Sequence, residues 1–323
     1  MENFYLASSN TTEGFCNHFD SINPEDNSFT YVIKGGSGTG KSTFMKKVGR
    51  YFEEKGFDIE YFCCSSDVSS LDGVRIVQKN VSIVDGTSPH ITEAVLPQVK
   101  DKIINVGDFI SPDIRKYKSQ IEQILPKKKQ CFDLCYKYLS CVRKIMDIEK
   151  SLAKNDNDFV NKKTDEVLSH ITNFKKQTNF QSRQLYLSYI DTKGLHNLKT
   201  KNKFKTIIEI NAGQYMLGFE VLNKISNMLK IKKIEHIELL SPLGHEFVEG
   251  IYFPSNGTLV FNNYKKGSLK NEKIFSTLLS KAGKCVEDAR SFHKQIEKYY
   301  ISHMDFDKLT TLREKTIKEI ENM

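Results

Sequence analysis

Nine consecutive residues, from Gly35 to Thr43, have the types and the spacing that bind phosphate. Four residues separate Gly35 from Gly40, which is followed by Lys41 and Ser42, and this is the pattern of a Walker A loop. Glycines let such a loop wrap around phosphate oxygens with its backbone N–H groups pointing inward. The lysine is the predicted catalytic cation for the β- and γ-phosphates, and the serine hydroxyl is a predicted Mg²⁺ ligand. The sequence therefore predicts an ATP site, against the alternative of a glycine-rich turn without a ligand. The predicted nucleotide-binding residues are Gly35, Gly36, Ser37, Gly38, Thr39, Gly40, Lys41, Ser42 and Thr43.

The flanking sequence supplies the strand and the helix that must position this loop. The segment "FTYVIKG" (29–35) is rich in β-branched and aromatic residues and has the length of a strand, and residues 42–55 have helical periodicity. A helix that starts at the loop adds its positive N-terminal dipole to the phosphate site.

A second acid is needed to hold the metal, and two aspartates are candidates. Asp85 follows the apolar run "VSIV" (81–84), which places it at the tip of a buried strand, and it is the first choice as metal ligand and catalytic acid. The alternative for Asp85 is an ordinary aspartate in a turn. Asp67 ends the preceding predicted strand and is the second choice, as a metal ligand or water-positioning residue, with a solvated turn residue as the alternative. His90 is a weaker candidate for sensing the γ-phosphate, with a surface-loop histidine as the alternative.

The segment 1–110 alternates strand-like runs with turns and one strong helix, which predicts an open α/β sheet. Residues 108–193 contain no glycine, and apolar residues recur there at helical spacing, with a turn at "KNDND" (154–158). We therefore predict a helical hairpin over residues 111–182.

The chain also resembles itself at a fixed offset. The shift that places Gly213 under Gly36 aligns segment 206–225 with segment 29–48, and the same shift aligns 249–263 with 72–86. The predicted fold is a duplicated α/β sheet of P-loop NTPase type, each copy followed by helices. The predicted divisions are a nucleotide-binding unit (1–110), the hairpin (111–182), a degenerate copy (183–265) and a C-terminal helical segment (266–323).

Charge and cysteine content bound the environment and the partners. Residues 1–110 carry 10 basic and 15 acidic side chains, residues 111–182 carry 15 and 9, and residues 183–323 carry 23 and 16. The excess of basic side chains in residues 111–323 indicates either solvated lysine-rich helices or an acidic partner such as nucleic acid. Seven scattered cysteines in a chain of 323 residues indicate reduced thiols, and Cys131 and Cys135 favour core packing over metal binding. With no membrane-length apolar run and no signal peptide at its start, the protein is expected to be cytoplasmic and not inserted in a membrane.

Three segments, "KGGSGTGKSTFMKK", "CSSDVSSLDG" and "VDGTSPH", occur in an order and spacing that resemble the tandem P-loop ATPase-like proteins of Firmicutes. This resemblance covers most of the chain and implies a P-loop fold and a nucleotide ligand. Both halves usually carry a Walker A loop in that family. Here the positions of Gly40, Lys41 and Ser42 correspond to Leu217, Gly218 and Phe219. We expect no second nucleotide site.

Three functions are compatible with these motifs: a slow ATPase that couples its nucleotide state to partner binding, a non-hydrolysing nucleotide switch or scaffold, and a small-molecule kinase. The kinase is disfavoured because Arg115 and Arg143 are the only arginines between residues 86 and 182, where a lid is expected. Guanine specificity is disfavoured because no Asn-Lys-x-Asp motif occurs. Fast hydrolysis is disfavoured because Gly86, not glutamate, follows Asp85.

An arginine that reaches the γ-phosphate is also missing from the loop itself. Arg50 points away from the phosphates on the following helix, and Arg75 could face either way. The site would have to be completed by another part of the chain or by another subunit of a homo-oligomer. The candidates from the basic half are Arg183, Arg290 and Arg313.

Overall fold

The protein has a mixed α/β fold. A computed structural model describes residues 2–25, 28–153, 156–171, 183–210 and 215–323. No helix among these residues is both long enough and apolar enough to cross a membrane.

The helices are α1 (Lys41–Glu54), α2 (Lys118–Leu152), α3 (Asn157–His170), α4 (Tyr215–Ile231), α5 (Glu272–Ile301) and α6 (Phe306–Glu321). The strands of the first half are β1 (Glu2–Tyr5), β2 (Ser8–Thr11), β3 (Gly14–Asn17), β4 (Phe29–Lys34), β5 (Ile59–Cys64), β6 (Asp67–Ile76), β7 (Val81–Asp85) and β8 (Asp101–Asn105). Those of the second half are β9 (Arg183–Tyr186), β10 (Ser188–Asp191), β11 (Gly194–Asn197), β12 (Thr206–Glu209), β13 (Ile237–Ser241), β14 (Gly244–Phe253) and β15 (Thr258–Phe261).

The chain divides into two compact units, and each is discontinuous in sequence. Unit 1 comprises Met1–Ala7, Asn17–Leu134 and Lys284–Met323. Unit 2 comprises Ser8–Cys16 and Cys135–Gly283. The boundaries fall inside α2 and α5, so each of these helices contributes residues to both units. The four divisions expected from the sequence stay a prediction.

Unit 1 contains a six-stranded mixed sheet in the order β1-β5-β6-β7-β4-β8. Strand β4 pairs in parallel with β7 on one side and with β8 on the other, while β6 runs antiparallel to both β5 and β7. Tyr31, Val32 and Ile33 are fully buried in β4, as expected for a strand that is covered on both faces. The parallel pairing brings the carboxyl ends of β4 and β7 to the same edge of the sheet.

Helix α1 packs on this sheet through one apolar face. Its buried residues include Phe44, Val48 and Phe52, which recur at four-residue spacing. Gly49 faces the ring of Tyr61 in β5, and a Cβ atom on Gly49 would lie 2.6 Å from that ring. The glycine therefore permits a close approach of helix and sheet. The helix predicted over residues 42–55 is confirmed to within one residue at each end.

Unit 2 contains a five-stranded sheet in the order β12-β15-β14-β13-β9. Its pairings repeat those of unit 1: β9 and β13 are parallel, β14 is antiparallel to β13 and β15, and β12 and β15 are parallel. The offset that aligns Gly36 with Gly213 carries both bounds of β6 onto those of β14. Five strands of each sheet therefore have the same order and the same directions, and β8 is an additional strand at the edge of the sheet of unit 1.

The remaining helices lie where the sequence indicated helical structure. Helices α2 and α3 occupy the segment predicted as a hairpin, and Asp156 caps α3 by accepting a hydrogen bond from the backbone N–H of Phe159 at 2.9 Å. Residues 172–182 of that prediction lie outside the described residues. Helices α5 and α6 form the C-terminal segment. Strand β8, by contrast, was not predicted.

Candidate phosphate-binding site

The Walker A residues form the connection between β4 and α1. Gly38 has φ +73° and Gly40, the residue before the helix, has φ +85°, a backbone conformation that favours glycine. Gly35 lies so close to its surroundings that a Cβ atom there would be 2.5 Å from Val106 and 2.8 Å from Thr39. The glycines thus set a tight turn that ends at the N-terminus of a 14-residue helix, where backbone N–H groups are unpaired and favour anions.

The side chain of Lys41 folds back over this turn. Its Nζ donates hydrogen bonds to the carbonyl oxygens of Gly36 (2.8 Å) and Gly35 (3.1 Å), and it lies 3.6 Å from Oδ2 of Asp85. Thr39 is buried and its hydroxyl donates to Gly36 O at 2.9 Å, which braces the turn. The loop therefore holds a cation and a carboxylate side by side at the carboxyl edge of the sheet.

Asp85 ends β7, as predicted, and lies beside Ile33 in the parallel ladder with β4. One of its carboxylate oxygens accepts a hydrogen bond from the backbone N–H of Thr87 at 2.9 Å. The hydroxyl of Ser42 accepts a hydrogen bond from the backbone N–H of Leu71 at 2.9 Å. Carboxylate and hydroxyl oxygens are ligands that suit Mg²⁺, which is bound through few protein ligands together with phosphates. Ser42 and Asp85 are therefore the residues that could hold the metal.

Asp67 does not end the preceding strand; it begins β6, because the chain turns at residues 65–66 after β5 ends at Cys64. Its carboxylate accepts a hydrogen bond from the hydroxyl of Ser69 and lies 2.6 Å from the guanidinium of Arg290 in α5. Burial acts against the charged form, but the hydrogen bonds from Ser69 and the charge of Arg290 outweigh it and lower the pKa of Asp67. Asp67 thus anchors an arginine in unit 1.

His90 is buried, so the alternative of a surface-loop histidine was wrong. Its ring stacks on Phe19 with the centroids 5.1 Å apart, and its Nε2 lies 3.4 Å from a carboxylate oxygen of Asp72. A role of His90 in sensing the γ-phosphate stays a prediction.

Helices α5 and α6 supply contacts to the loop that the sequence did not reveal. A Cβ atom on Gly36 would lie 2.6 Å from the ring of Tyr300, and one on Gly38 would lie 3.0 Å from the carbonyl oxygen of Glu297. One on Gly40 would lie 2.7 Å from Leu309 of α6. The loop glycines therefore have a second role, which is to let these helices approach.

The same face of α5 carries polar groups to the loop. The hydroxyl of Ser37 lies 3.4 Å from Nδ1 of His293, and Nδ1 also lies 3.0 Å from the ammonium nitrogen of Lys128 in α2. Burial is the main reason that the pKa of Lys128 is lowered, and the charge of Lys41 acts in the same direction. The spacing of Arg290, His293 and Glu297 on one helical face is the only sequence signal that could have pointed to this cluster.

Most of the other arginines considered from the sequence are engaged elsewhere. Arg75 is buried between Glu60 (3.3 Å) and Glu25 (2.8 Å), so it does not serve the loop. Arg143 in unit 2 pairs with Glu246 at 2.6 Å. Arg50 and Arg313 line a groove of about 450 Å³ between α1 and α6. This groove is lined by side chains of both signs, and we assign no ligand to it.

The corresponding place in unit 2 has a different construction. Helix α4 begins at Tyr215, and Leu217, Gly218 and Phe219 are all buried within it. Asn262, at the position that corresponds to Asp85, contacts Gly218 and donates a hydrogen bond to the carbonyl oxygen of Tyr215 at 3.0 Å. Gly213, the counterpart of Gly36, lies outside the described residues.

No protein-family model, no curated protein and no solved structure matches this chain. The assignment of the candidate site therefore rests on its own geometry.

Proposed function

We propose that unit 1 binds Mg·ATP at the β4–α1 loop and hydrolyses it slowly, and that the nucleotide state controls binding of a partner. The observation that carries the proposal is the placement of Lys41 and Asp85. The loop glycines at positive φ end at the N-terminus of α1, and Lys41, its first residue, lies 3.6 Å from the aspartate at the tip of the adjacent parallel strand. A turn without a ligand needs none of these features.

The two sheets with one strand order favour duplication of a P-loop unit, with the phosphate site kept in unit 1 and lost in unit 2. In this proposal Gly35–Thr43 bind the phosphates, Lys41 bridges the β- and γ-phosphates, and Ser42 with Asp85 holds Mg²⁺. Asp67 becomes a structural partner of Arg290, and a direct role in positioning water is secondary.

Hydrolysis is proposed to be slow, below about one turnover per second, because Gly86 occupies the place of a water-activating glutamate. Among the candidate arginines, Arg290 is the one that we propose reaches the phosphates, because it is already bound to Asp67 at the start of β6. A partner, nucleic acid or self-association that moves α5 would bring it to the phosphates.

A nucleotide switch without turnover is the second candidate, and the cover that α5 and α6 form over the loop glycines favours it. The kinase has no such support. Seven free cysteines fit a reducing compartment such as the cytoplasm.

The test is phosphate release from ATP by the purified protein, with and without single-stranded and double-stranded nucleic acid, and with Lys41→Ala as the matched blank. We expect slow release that depends on Mg²⁺ and on Lys41. Binding of ATP without release would select the switch. Release that is equal in wild type and Lys41→Ala would show a contaminating activity and refute the proposal.

A further inference from the structure

We infer that Lys128 of α2 is a second phosphate-binding cation of the loop, held in position by His293 of α5, so that unit 1 provides in cis a charge expected from a partner. This inference rests on the proposed function and adds two residues to its site. The inference requires a polyphosphate ligand, and the ammonium group of Lys128 would contact its terminal phosphate.

A chain of contacts leads from α2 to the loop. Nζ of Lys128 lies 3.0 Å from Nδ1 of His293, and because a lysine ammonium group can only donate, Nδ1 is the acceptor of this hydrogen bond. Nε2 then faces the carboxylate of Glu297 at 3.4 Å. Ser37 of the Walker A loop lies 3.4 Å from the same Nδ1. The ammonium group is thereby held by an imidazole nitrogen that also lies beside the loop.

The contacts of Lys128 are unusual for a partly buried cation. A partly buried ammonium group is normally paired with a carboxylate, and Lys128 is paired with an imidazole instead. The positive charge of Lys41 also acts on it. Burial raises the pKa of Cys64 well above its usual value, so the thiol carries no opposing charge at neutral pH. Within the described residues, Glu297 is the carboxylate that acts on Lys128. Lys41 has the carboxylate of Asp85 at 3.6 Å, whereas the polar partner of Lys128 is an imidazole, so Lys128 is the cation that an anion at the loop would stabilise more.

The neighbours of Lys128 in the sequence differ from it in exposure. Lys127 and Lys129 are exposed, whereas Lys128 is turned towards the protein. A lysine-rich helix face needs only solvated side chains, so the three consecutive lysines do not explain why the middle one is brought to the loop. They also supply matched controls, because each carries the same charge on the same helix turn.

Because α5 contacts the loop, a movement of the loop would also move His293. Tyr300 and Glu297 pack against Gly36 and Gly38, and His293 lies one turn before Glu297 on the same face. A phosphate that binds Lys128 would weaken the hydrogen bond between Lys128 and His293. The inference therefore predicts that α5 senses occupancy of the terminal phosphate position.

The experiment compares the dissociation constants of ATP, ADP and AMP, with Mg²⁺, for Lys128→Gln, Lys127→Gln and Lys129→Gln by calorimetry. Loss of a charged hydrogen bond to phosphate should weaken ATP binding of Lys128→Gln about tenfold or more. AMP binding should change less, and the two control variants should match wild type. His293→Asn, which keeps an acceptor near the position of Nδ1, should retain most ATP affinity, whereas His293→Leu should lose as much as Lys128→Gln.

The outcomes separate this inference from the proposed function. If Lys41→Ala abolishes ATP binding while Lys128→Gln behaves like its neighbours, the proposed function stands and the inference is wrong. If wild type binds no ATP, both are wrong. Should Lys128→Gln fail to fold by circular dichroism, the His293→Asn and His293→Leu pair decides, and equal affinities for those two would overturn the inference.

Discussion

The carboxyl edges of the two sheets show how one backbone arrangement can hold either a charged site or a packed core. In unit 1 this edge carries Lys41 and Asp85 at 3.6 Å from each other. At the corresponding positions unit 2 carries Gly218 and Asn262, which are in contact. The pair of opposite charges is replaced by a glycine and an amide, and the amide closes on the helix instead of facing a ligand.

The two edges also differ in aromatic residues. Phe219 stands at the position of Ser42 and stacks on Phe247 with ring centroids 4.7 Å apart, while Tyr215 packs against Phe219 at 4.6 Å. These rings place a packed aromatic cluster at the start of α4, where unit 1 has the hydroxyl of Ser42. Burial of apolar area stabilises unit 2 at this position, and the polar loop of unit 1 lacks that stabilisation.

The largest effect is expected from removing the aromatic filling. Phe219→Ala should destabilise unit 2 by about 3–5 kcal/mol, because a buried ring leaves a cavity. Ser42→Ala, the substitution at the corresponding position of unit 1, should cost far less stability but should weaken Mg²⁺-dependent ATP turnover. Urea unfolding followed by circular dichroism measures the stability of both variants, because the chain has no tryptophan whose fluorescence could be followed. Phosphate release measures the ATP turnover of Ser42→Ala. Equal destabilisation by the two substitutions would break the contrast between filled and open edges.

The next effect concerns the charged pair. Lys41→Ala should weaken ATP binding about tenfold to a hundredfold, as expected for the loss of hydrogen bonds from a charged group, and it should not unfold the chain. Lys47→Ala, an exposed lysine on the same helix, is the control. Calorimetry should also give one ATP per wild-type chain and a correspondingly larger dissociation constant for Lys41→Ala. A stoichiometry of two would show that the edge of unit 2 still binds nucleotide.

A reciprocal exchange of the two strand-end residues sharpens the comparison. Asn262→Asp removes the hydrogen bond to the carbonyl oxygen of Tyr215 and buries a carboxylate beside it, which should cost about 1–3 kcal/mol or more. Asp85→Asn should be tolerated by the fold but should reduce Mg²⁺-dependent turnover more than ATP binding. Thermal unfolding and the Mg²⁺ dependence of phosphate release measure the two effects. If Asp85→Asn leaves the Mg²⁺ dependence unchanged, the metal ligand must be sought in another acid, with Asp67 first.

The sequence predicted the parts of the site that are local in the chain. The order strand, glycine-rich loop, helix is written in consecutive residues, and Asp85 follows an apolar run, so both could be placed without a structure. The internal repeat was visible as well, and its offset reproduces the bounds of β6 and β14 because repeated backbone units keep their spacing. Strand β8 escaped because it is short and only Ile104 is buried among its five residues.

The contacts that could not be predicted join residues far apart in the chain. Arg290 meets Asp67 and His293 meets Lys128 only because α5 packs against the loop, and no local pattern shows which helix will do so. Asp67 was misplaced for a local reason, since the turn at residues 65–66 transfers it from the end of one strand to the start of the next. Helical periodicity gave the faces of α2 and α5 but not their partners.

The smallest expected effect is a pH dependence of stability, and it concerns a carboxyl group whose surroundings differ between the two units. Asp72 in β6 lies 3.4 Å from His90, whereas Glu249, its counterpart in β14, is fully buried and accepts a hydrogen bond from the backbone N–H of Ser188 at 3.1 Å. Burial raises the pKa of Glu249 to about 8 from its usual 4.5. The native state therefore holds this proton between those two pH values while the unfolded state releases it. The contribution of Glu249 to stability is fully present below pH 4.5 and is lost as the pH rises towards 8.

Glu249→Gln should remove this pH dependence, because the amide keeps an acceptor for the N–H of Ser188 and does not titrate. The free energy of unfolding of wild type should fall relative to Glu249→Gln by at most about 1.4 kcal/mol per pH unit. Urea titrations at pH 5.5, 6.5 and 7.5 would measure the difference, and Asp165→Asn, an exposed acid on α3, is the control that should run parallel to wild type. Parallel curves for wild type and Glu249→Gln would mean that Glu249 is ionised in the folded protein. Unit 2 would then hold a buried charge near Asn262, and the contrast between the two edges would rest on Gly218, Phe219 and Asn262 alone.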